Sequence, residues 1–202
     1  MRLEPASSKA VSYACRNFHY AKRVPVARLS YSVFNKQGEW CGVICYGSGA
    51  GDKAAKHFKM SQGQCCELVR VALNGKQEQT SKAVAISLKL LKKQAPLVRL
   101  VYSYADVDQK HVGTIYQATN WIYIGQSEPY RAGMIINGKQ THLRSASAML
   151  KGKQCNLTNV RKYVDPEATE FYSAGKRRYI QVFDESIRQK YLDLRQPYPK
   201  SA

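Results

Sequence analysis

Cys66-Glu-Leu-Val-Arg-Val-Ala-Leu73 alternates as a strand does, with Glu67, Val69, Val71 and Leu73 on one face and Leu68, Arg70 and Ala72 on the other. A charged residue on each face implies that at least one of them looks into a cleft. After the polar loop from Asn74 to Gln79, Thr80 can cap a helix from Ser81 to about Lys93. Its apolar side is Val84, Ile86, Leu88, Leu90 and Leu91, its last turn carries Lys89, Lys92 and Lys93, and Pro96 ends it. The buried-looking strand Leu97-Val-Arg-Leu-Val-Tyr-Ser103 follows, then a polar break at 105–109, a short helix from about Gly113 to Thr119, and the strand Trp121-Ile-Tyr-Ile124 closed by Gly125. This order of strand, helix, strand, helix, strand over 66–125 describes an α/β (α+β) unit on a partly parallel sheet.

Upstream, Leu29-Ser-Tyr-Ser-Val-Phe34 and Trp40-Cys-Gly-Val-Ile-Cys-Tyr46 flank the turn Asn35-Lys-Gln-Gly38 and read as a hairpin. Gly47-Ser-Gly-Ala-Gly51 lacks the Gly-Lys-Ser/Thr ending of a phosphate loop and reads as a flexible loop over a site. Downstream, Met134-Ile-Ile-Asn-Gly-Lys-Gln forms a second hairpin around Asn137-Gly138. A short helix is expected near 145–150, a polar stretch at 164–170, and a last strand at Arg178-Tyr-Ile-Gln-Val-Phe183. No repeat or composition break divides the chain, so one domain over 1–202 is expected.

Lys and Arg total 32 against 14 acidic residues, a balance of +18 that costs self-repulsion and points to a polyanionic partner, double-stranded DNA foremost. No run approaches the ~20 apolar residues of a membrane span, and the first residues lack a hydrophobic signal core, so a cytoplasmic protein without a membrane partner is expected. The six cysteines show no C-x-x-C spacing and read as reduced core residues, with a metal role the minority alternative. The oligomeric state is open, and a homodimer is compatible with the sequence.

Leu100-Val-Tyr-Ser-Tyr-Ala-Asp106, continuing as Asp108-Gln-Lys-His-Val-Gly-Thr-Ile-Tyr-Gln-Ala-Thr-Asn-Trp-Ile-Tyr-Ile-Gly125, resembles the hallmark segment of the phage Mom family. His19-Tyr20 followed by Pro25, and Glu67-Leu68 with Arg70 ahead of a helix, extend the likeness to about residues 15–125. The resemblance implies a fold similar to the GNAT acyltransferases, a mixed central sheet flanked by helices. It also implies an activity converting adenine in DNA to N6-(methylcarbamoyl)adenine, which shields phage DNA from host restriction enzymes in the bacterial cytoplasm. Acetyl-CoA as a bound CoA thioester and an iron requirement come with the resemblance as well.

On that resemblance Tyr116 stands where the GNAT pattern places a tyrosine able to protonate a departing CoA thiolate; the alternative is a core tyrosine with a satisfied hydroxyl. The cofactor is expected at Gln79, Thr80, Ser81 and Ser103, with its pyrophosphate on the amides at the helix start. The loop there reads Gly75-Lys-Gln-Glu-Gln-Thr-Ser81 in place of the usual glycine pattern. Asp106 ends a strand, where catalytic groups of α/β sheets gather, and could bind metal, act as base or merely cap the next segment. Glu67 is expensive to bury unless paired, so Arg70, a metal or substrate should face it, and Arg70 could equally hold a phosphate.

His19, Tyr20 and His111 are candidate iron ligands, against surface or helix-start roles. Adenine N6 is paired in the duplex, so flipping is expected, with Tyr20, Tyr102, Tyr104 and Trp121 as stacking candidates and Lys22 and Arg23 on the phosphates. Two competing readings are a noncatalytic nucleic-acid-binding protein with a degenerate acyltransferase fold and an ordinary GNAT N-acetyltransferase. The product raises a chemical point of its own: simple acyl transfer would join N6 to a carbonyl carbon, whereas the methylcarbamoyl product joins it to a methylene.

Overall fold

In the computed structural model, residues 1–48 and 53–200 are described; 49–52, which include the end of the glycine-rich stretch, lie outside them, so the expected loop over a site falls partly outside the described residues. Unit 1 comprises Met1–Ala105, Val112–Gly125 and Arg177–Ala202, and unit 2 comprises Asp106–His111 and Gln126–Lys176.

Unit 1 is built on a seven-stranded sheet in the order β1-β2-β3-β4-β5-β10-β6. The strands are β1 (Arg2–Pro5), β2 (Leu29–Phe34), β3 (Trp40–Gly47), β4 (Cys65–Leu73), β5 (Leu100–Asp106), β6 (Ile122–Gln126) and β10 (Lys176–Val182). Strands β1 to β4 pair antiparallel in succession, and β4 pairs parallel with β5, so the sheet is mixed as expected.

One face of the sheet is covered by α3 (Thr80–Gln94) and α4 (Thr114–Gln117), with Val84, Leu88, Leu91, Tyr116 and Trp121 packed on Ile44, Leu68 and Val101. The other face carries α1 (Ser8–Phe18), α2 (Lys53–His57) and α7 (Glu185–Leu192). Helix α1 starts at Ser7, whose hydroxyl accepts from the Ala10 N–H at 3.2 Å, and seats Val11, Ala14 and Cys15 on Val43, Cys45 and Ala72.

The expected strict alternation along β4 fails at one residue. The β3 register runs Cys45↔Arg70 and then Tyr46↔Leu68, leaving Val69 as a β-bulge. Cys66, Leu68, Val71 and Leu73 therefore share the α3 side, while Val69 and Ala72 join the α1 side. Arg70 consequently turns to the same side as Glu67, in place of one charge on each face.

Unit 2 is a three-stranded antiparallel sheet, β8-β7-β9, formed by β7 (Tyr130–Ile136), β8 (Lys139–His142) and β9 (Thr169–Ser173). Helices α5 (Leu143–Met149) and α6 (Leu157–Tyr163) join it, and Met134, Ile136, Ala146, Leu150, Val160 and Ala168 form its core. The β7–β8 turn has Asn137 at φ +48° and Gly138 at φ +71°, the paired left-handed conformations that make Asn-Gly a hairpin signal. Helix α6 went unread in the sequence because its apolar contribution is confined to Leu157 and Val160.

The β3–β4 contact depends on Gly42, at φ +126°, where a Cβ would overlap the Ala72 carbonyl oxygen. A backbone atom in the sheet centre cannot yield, so Gly42→Ala should lower unfolding free energy by about 2 kcal/mol or more. Urea denaturation measures this, and an unshifted midpoint would show that the two strands can separate there at no cost.

Candidate functional site

The parallel β4–β5 pairing runs through Cys65↔Leu100, Cys66↔Val101 and Glu67↔Tyr102 and stops there. Beyond it Ser103 bridges the parting strands: its hydroxyl donates to the Leu68 carbonyl at 2.8 Å. A hydroxyl has one proton, so the 2.8 Å contact between Ser103 Oγ and the Tyr116 hydroxyl is donated by Tyr116. The strand gap, Ser103 and the expected acid Tyr116 thus meet at one point.

Tyr116 is 7% exposed and held by rings on either side, with Trp121 at 5.1 Å and Tyr179 at 5.0 Å between centroids. Burial pushes its phenol up to about 12, against a smaller lowering by the Ser103 hydrogen bond; the Glu67 carboxylate and Tyr20 add to the rise. Tyr116 is therefore fully protonated at neutral pH and has a proton to give.

Trp121 is 0% exposed, which corrects its reading as a base-stacking residue: a closed ring has no face to offer, and it serves instead to pack Tyr116. Tyr104, 39% exposed, and Tyr102 do border a cavity of about 130 Å³, together with His57, Phe58 and Arg178. Tyr102 and Tyr104 meet edge to face at 5.8 Å, and Phe58 lies 5.8 Å from Tyr102. Burial first, then the Glu67 carboxylate, raises both tyrosines above the ordinary phenol value, and Glu67 is the β4 residue in register with Tyr102. The Arg178 Nε is buried with no hydrogen-bond partner, while its Nη2 donates to the Ile124 carbonyl at 3.3 Å. Neither His57 nor Phe58 was readable as a site residue, and Arg178 was hidden in the run Lys176-Arg177-Arg178, where charge alone pointed to phosphate binding.

Arg70 sends its Nη2 toward the Arg23 carbonyl at 3.5 Å, tethering the loop that exposes Lys22 and Arg23. His19 stacks on Tyr20 at 4.3 Å between rings, and its Nδ1 accepts from the Ala21 N–H at 3.1 Å. Asp106 caps the turn after β5, accepting from the Asp108 N–H at 3.1 Å, and its carbonyl accepts from the His111 N–H at 3.0 Å. Asp106 and His111 belong to unit 2, and the other expected site residues to unit 1. Among the described residues no group of three or more His, Cys, Asp or Glu side chains is gathered to hold a metal ion. The expected iron shell of His19, Tyr20 and His111 is therefore not supported, and one ring nitrogen of His19 is already taken by backbone.

At the other end of β4, α3 begins at Gln79, whose side chain makes no cap, so Thr80 starts the helix and does not cap it. Gln77 donates to the Thr80 hydroxyl at 2.9 Å. Gln79, Ser81, Lys82, Lys89 and Lys92 border an open cleft of about 500 Å³ that reaches Asn120 on the turn after α4. The five cysteines other than Cys155 are buried free thiols, as read from the sequence.

The chain matches the profile of the Mom protein family over residues 1–200. It belongs to that family. The match runs through unit 2, beyond the segments that carry the likeness in sequence. This Mom-family chain is 26% identical over 208 residues to methylcarbamoylase mom of Escherichia phage Mu, covering 99% of this chain and 84% of that protein. Its fold is similar to that of a Bacillus subtilis acetyltransferase solved in complex with CoA, at TM-score 0.50 and 11% identity, covering 90% of this chain and 98% of that one. The expected GNAT-like architecture is thus the observed one.

The buried phenol gives a test by pH. Below about pH 10 Tyr116 is protonated in both folded and unfolded chains; between about 10 and about 12 the unfolded chain loses its proton first, so stability falls as pH rises. Tyr116→Phe removes that contribution, and its urea midpoint should decline less steeply than wild type as pH is raised through about 10. Parallel declines would mean that the phenol is not held in its neutral form.

Proposed function

We propose that the chain is a DNA-modifying transferase that converts adenine in double-stranded DNA to N6-(methylcarbamoyl)adenine, the reading favoured by an aromatic pocket beside a carboxylate and a buried acid. Membership of the Mom family and the phage Mu methylcarbamoylase support it. In the bacterial host's cytoplasm such a modification protects phage DNA from restriction enzymes. Both units serve one catalytic domain, since unit 2 is inserted twice into the run of unit 1 and is not appended to an end.

The residues fit a CoA thioester. From Leu68 onward β4 has no β5 partner, leaving strand backbone to receive an extended arm. The uncapped amides at Thr80 and Ser81, with Lys82, Lys89 and Lys92 along one cleft, suit its phosphates. This pairing of helix terminus and lysines takes the place of the missing glycine pattern. When bound, a CoA thioester supplies an activated acyl carbon. Because the methylcarbamoyl product joins N6 to a methylene, the chain's residues account for binding, orientation and proton movement, and no carbon–nitrogen step is assigned to CoA.

The pocket of Tyr102, Tyr104, Phe58 and His57 offers stacking faces for a base flipped out of the duplex, and stacking offsets part of the few kcal/mol that extrusion costs. Glu67 accepts the hydrogen bond, and then the proton, of the exocyclic amine. Arg178, with a donor left over, faces the ring nitrogens of the base or its phosphate. Tyr116, on the opposite side of the sheet, holds a proton that its hydroxyl shares with Ser103 and can supply to the reaction as an acid. Tyr20 stacks at the rim, and Lys22 and Arg23 contact phosphates.

Mass spectrometry of nucleosides from plasmid DNA in expressing cells tests this reading. Wild type should yield adenosine with the carbamoylmethyl mass increment, and Tyr116→Phe and Glu67→Gln should lower it by roughly 10²- to 10⁴-fold while melting normally. Unmodified adenine from wild-type cells would favour the noncatalytic DNA-binding alternative, and acetylation of a protein or small molecule without DNA the ordinary N-acetyltransferase.

A further inference from the structure

In unit 2 the ring of Tyr163, 50% exposed at the end of α6, carries two lysine ammonium groups, Lys153 Nζ at 4.8 Å and Lys162 Nζ at 5.3 Å from its centroid. Neither lysine is ion-paired with a carboxylate among the described residues. Two cations drawn to one ring concentrate positive charge on a small area of surface, and an anion bound there lowers their mutual repulsion. Exposed Lys151 and Lys139 add charge on the α5–α6 turn and the β7–β8 turn.

The patch stands on a fixed base. Asp165, two residues past Tyr163 and 9% exposed, accepts from the Asn137 N–H at 2.7 Å and the Glu167 N–H at 3.0 Å, pinning the β7–β8 turn to the end of α6. Asn156 caps the other end of α6 through the Asn159 N–H at 2.8 Å. Little backbone order remains to be acquired there on binding.

We propose that Lys153, Lys162 and Tyr163 form a contact for the sugar-phosphate backbone of duplex DNA, making unit 2 a substrate-holding element. The lysines take a phosphate and the ring lies against the adjoining sugar. No base edge is read, so the contact strengthens binding to every sequence equally. The inference rests on DNA being the substrate, as proposed above.

The test is equilibrium binding of the full-length protein to a fluorescent 30-base-pair duplex over a salt series. Lys153→Ala/Lys162→Ala should flatten the log–log salt dependence by about 1 and weaken binding roughly tenfold at physiological salt. Lys153→Arg/Lys162→Arg should restore the wild-type slope, and Tyr163→Ala should weaken binding with the slope unchanged. A wild-type slope in the alanine pair, or an equal loss in the arginine pair, overturns the contact. Those results leave the functional reading standing if wild type still modifies adenine; absence of duplex binding by wild type overturns both.

Discussion

The parallel pairing of β4 with β5 and its termination after Glu67↔Tyr102 is the constraint on which the rest depends. A parallel ladder needs a crossover on one face, and α3 supplies it, fixing where that helix begins relative to β4. Where the ladder ends, backbone groups of β4 face a gap that must be filled by water, side chain or ligand. Ser103 fills the first position by bonding to Leu68, and in doing so becomes an acceptor aimed at Tyr116. Fold and proton position are set by one hydroxyl.

The Val69 bulge works with that gap. Without it Arg70 would lie on the α3 side, among Leu68, Val71 and the aliphatic core, where an unpaired guanidinium is costly. The extra residue turns Arg70 to the α1 side and keeps an apolar row against α3. It also separates two surroundings: Tyr116 is enclosed by Trp121 and Tyr179 on one side of the sheet, and Glu67, in register with Tyr102, lies on the other. A buried phenol and a carboxylate are thereby set on opposite sides of one gap.

The central sheet, the hairpins and α3 were legible in the sequence because period and turn chemistry declare them. The start of α3 was legible to within a residue from its polar loop and Thr80, whereas Tyr116 was singled out only through family likeness. The bulge was not, since a one-residue insertion leaves both halves of β4 alternating correctly. Trp121 misled because a tryptophan after a polar turn looks the same whether its ring is closed in or open. Arg178, His57 and Phe58 come from segments more than 100 residues apart in part, and only packing brings them to one cavity. The supposed iron ligands failed for a related reason: histidine and tyrosine types say nothing of whether further donors converge.

The acidic residues, though few, are largely consumed by internal bonds. Asp184 bonds Arg99 and the Ser186 N–H, Glu170 bonds Arg131 and the Tyr172 hydroxyl, and Asp108 takes the Ser173 hydroxyl and the Ala174 N–H. Each of these carboxyls sits below its usual range because hydrogen bonds, from Ser186, Arg131 and Ser173 respectively, stabilise the charged form. Carboxylates engaged in caps and turns leave fewer acidic partners for the lysines of a chain whose balance is +18. The hydrogen bonds that hold these turns therefore occupy a substantial share of the chain's limited negative charge, and a net charge this far from zero costs self-repulsion in the compact state.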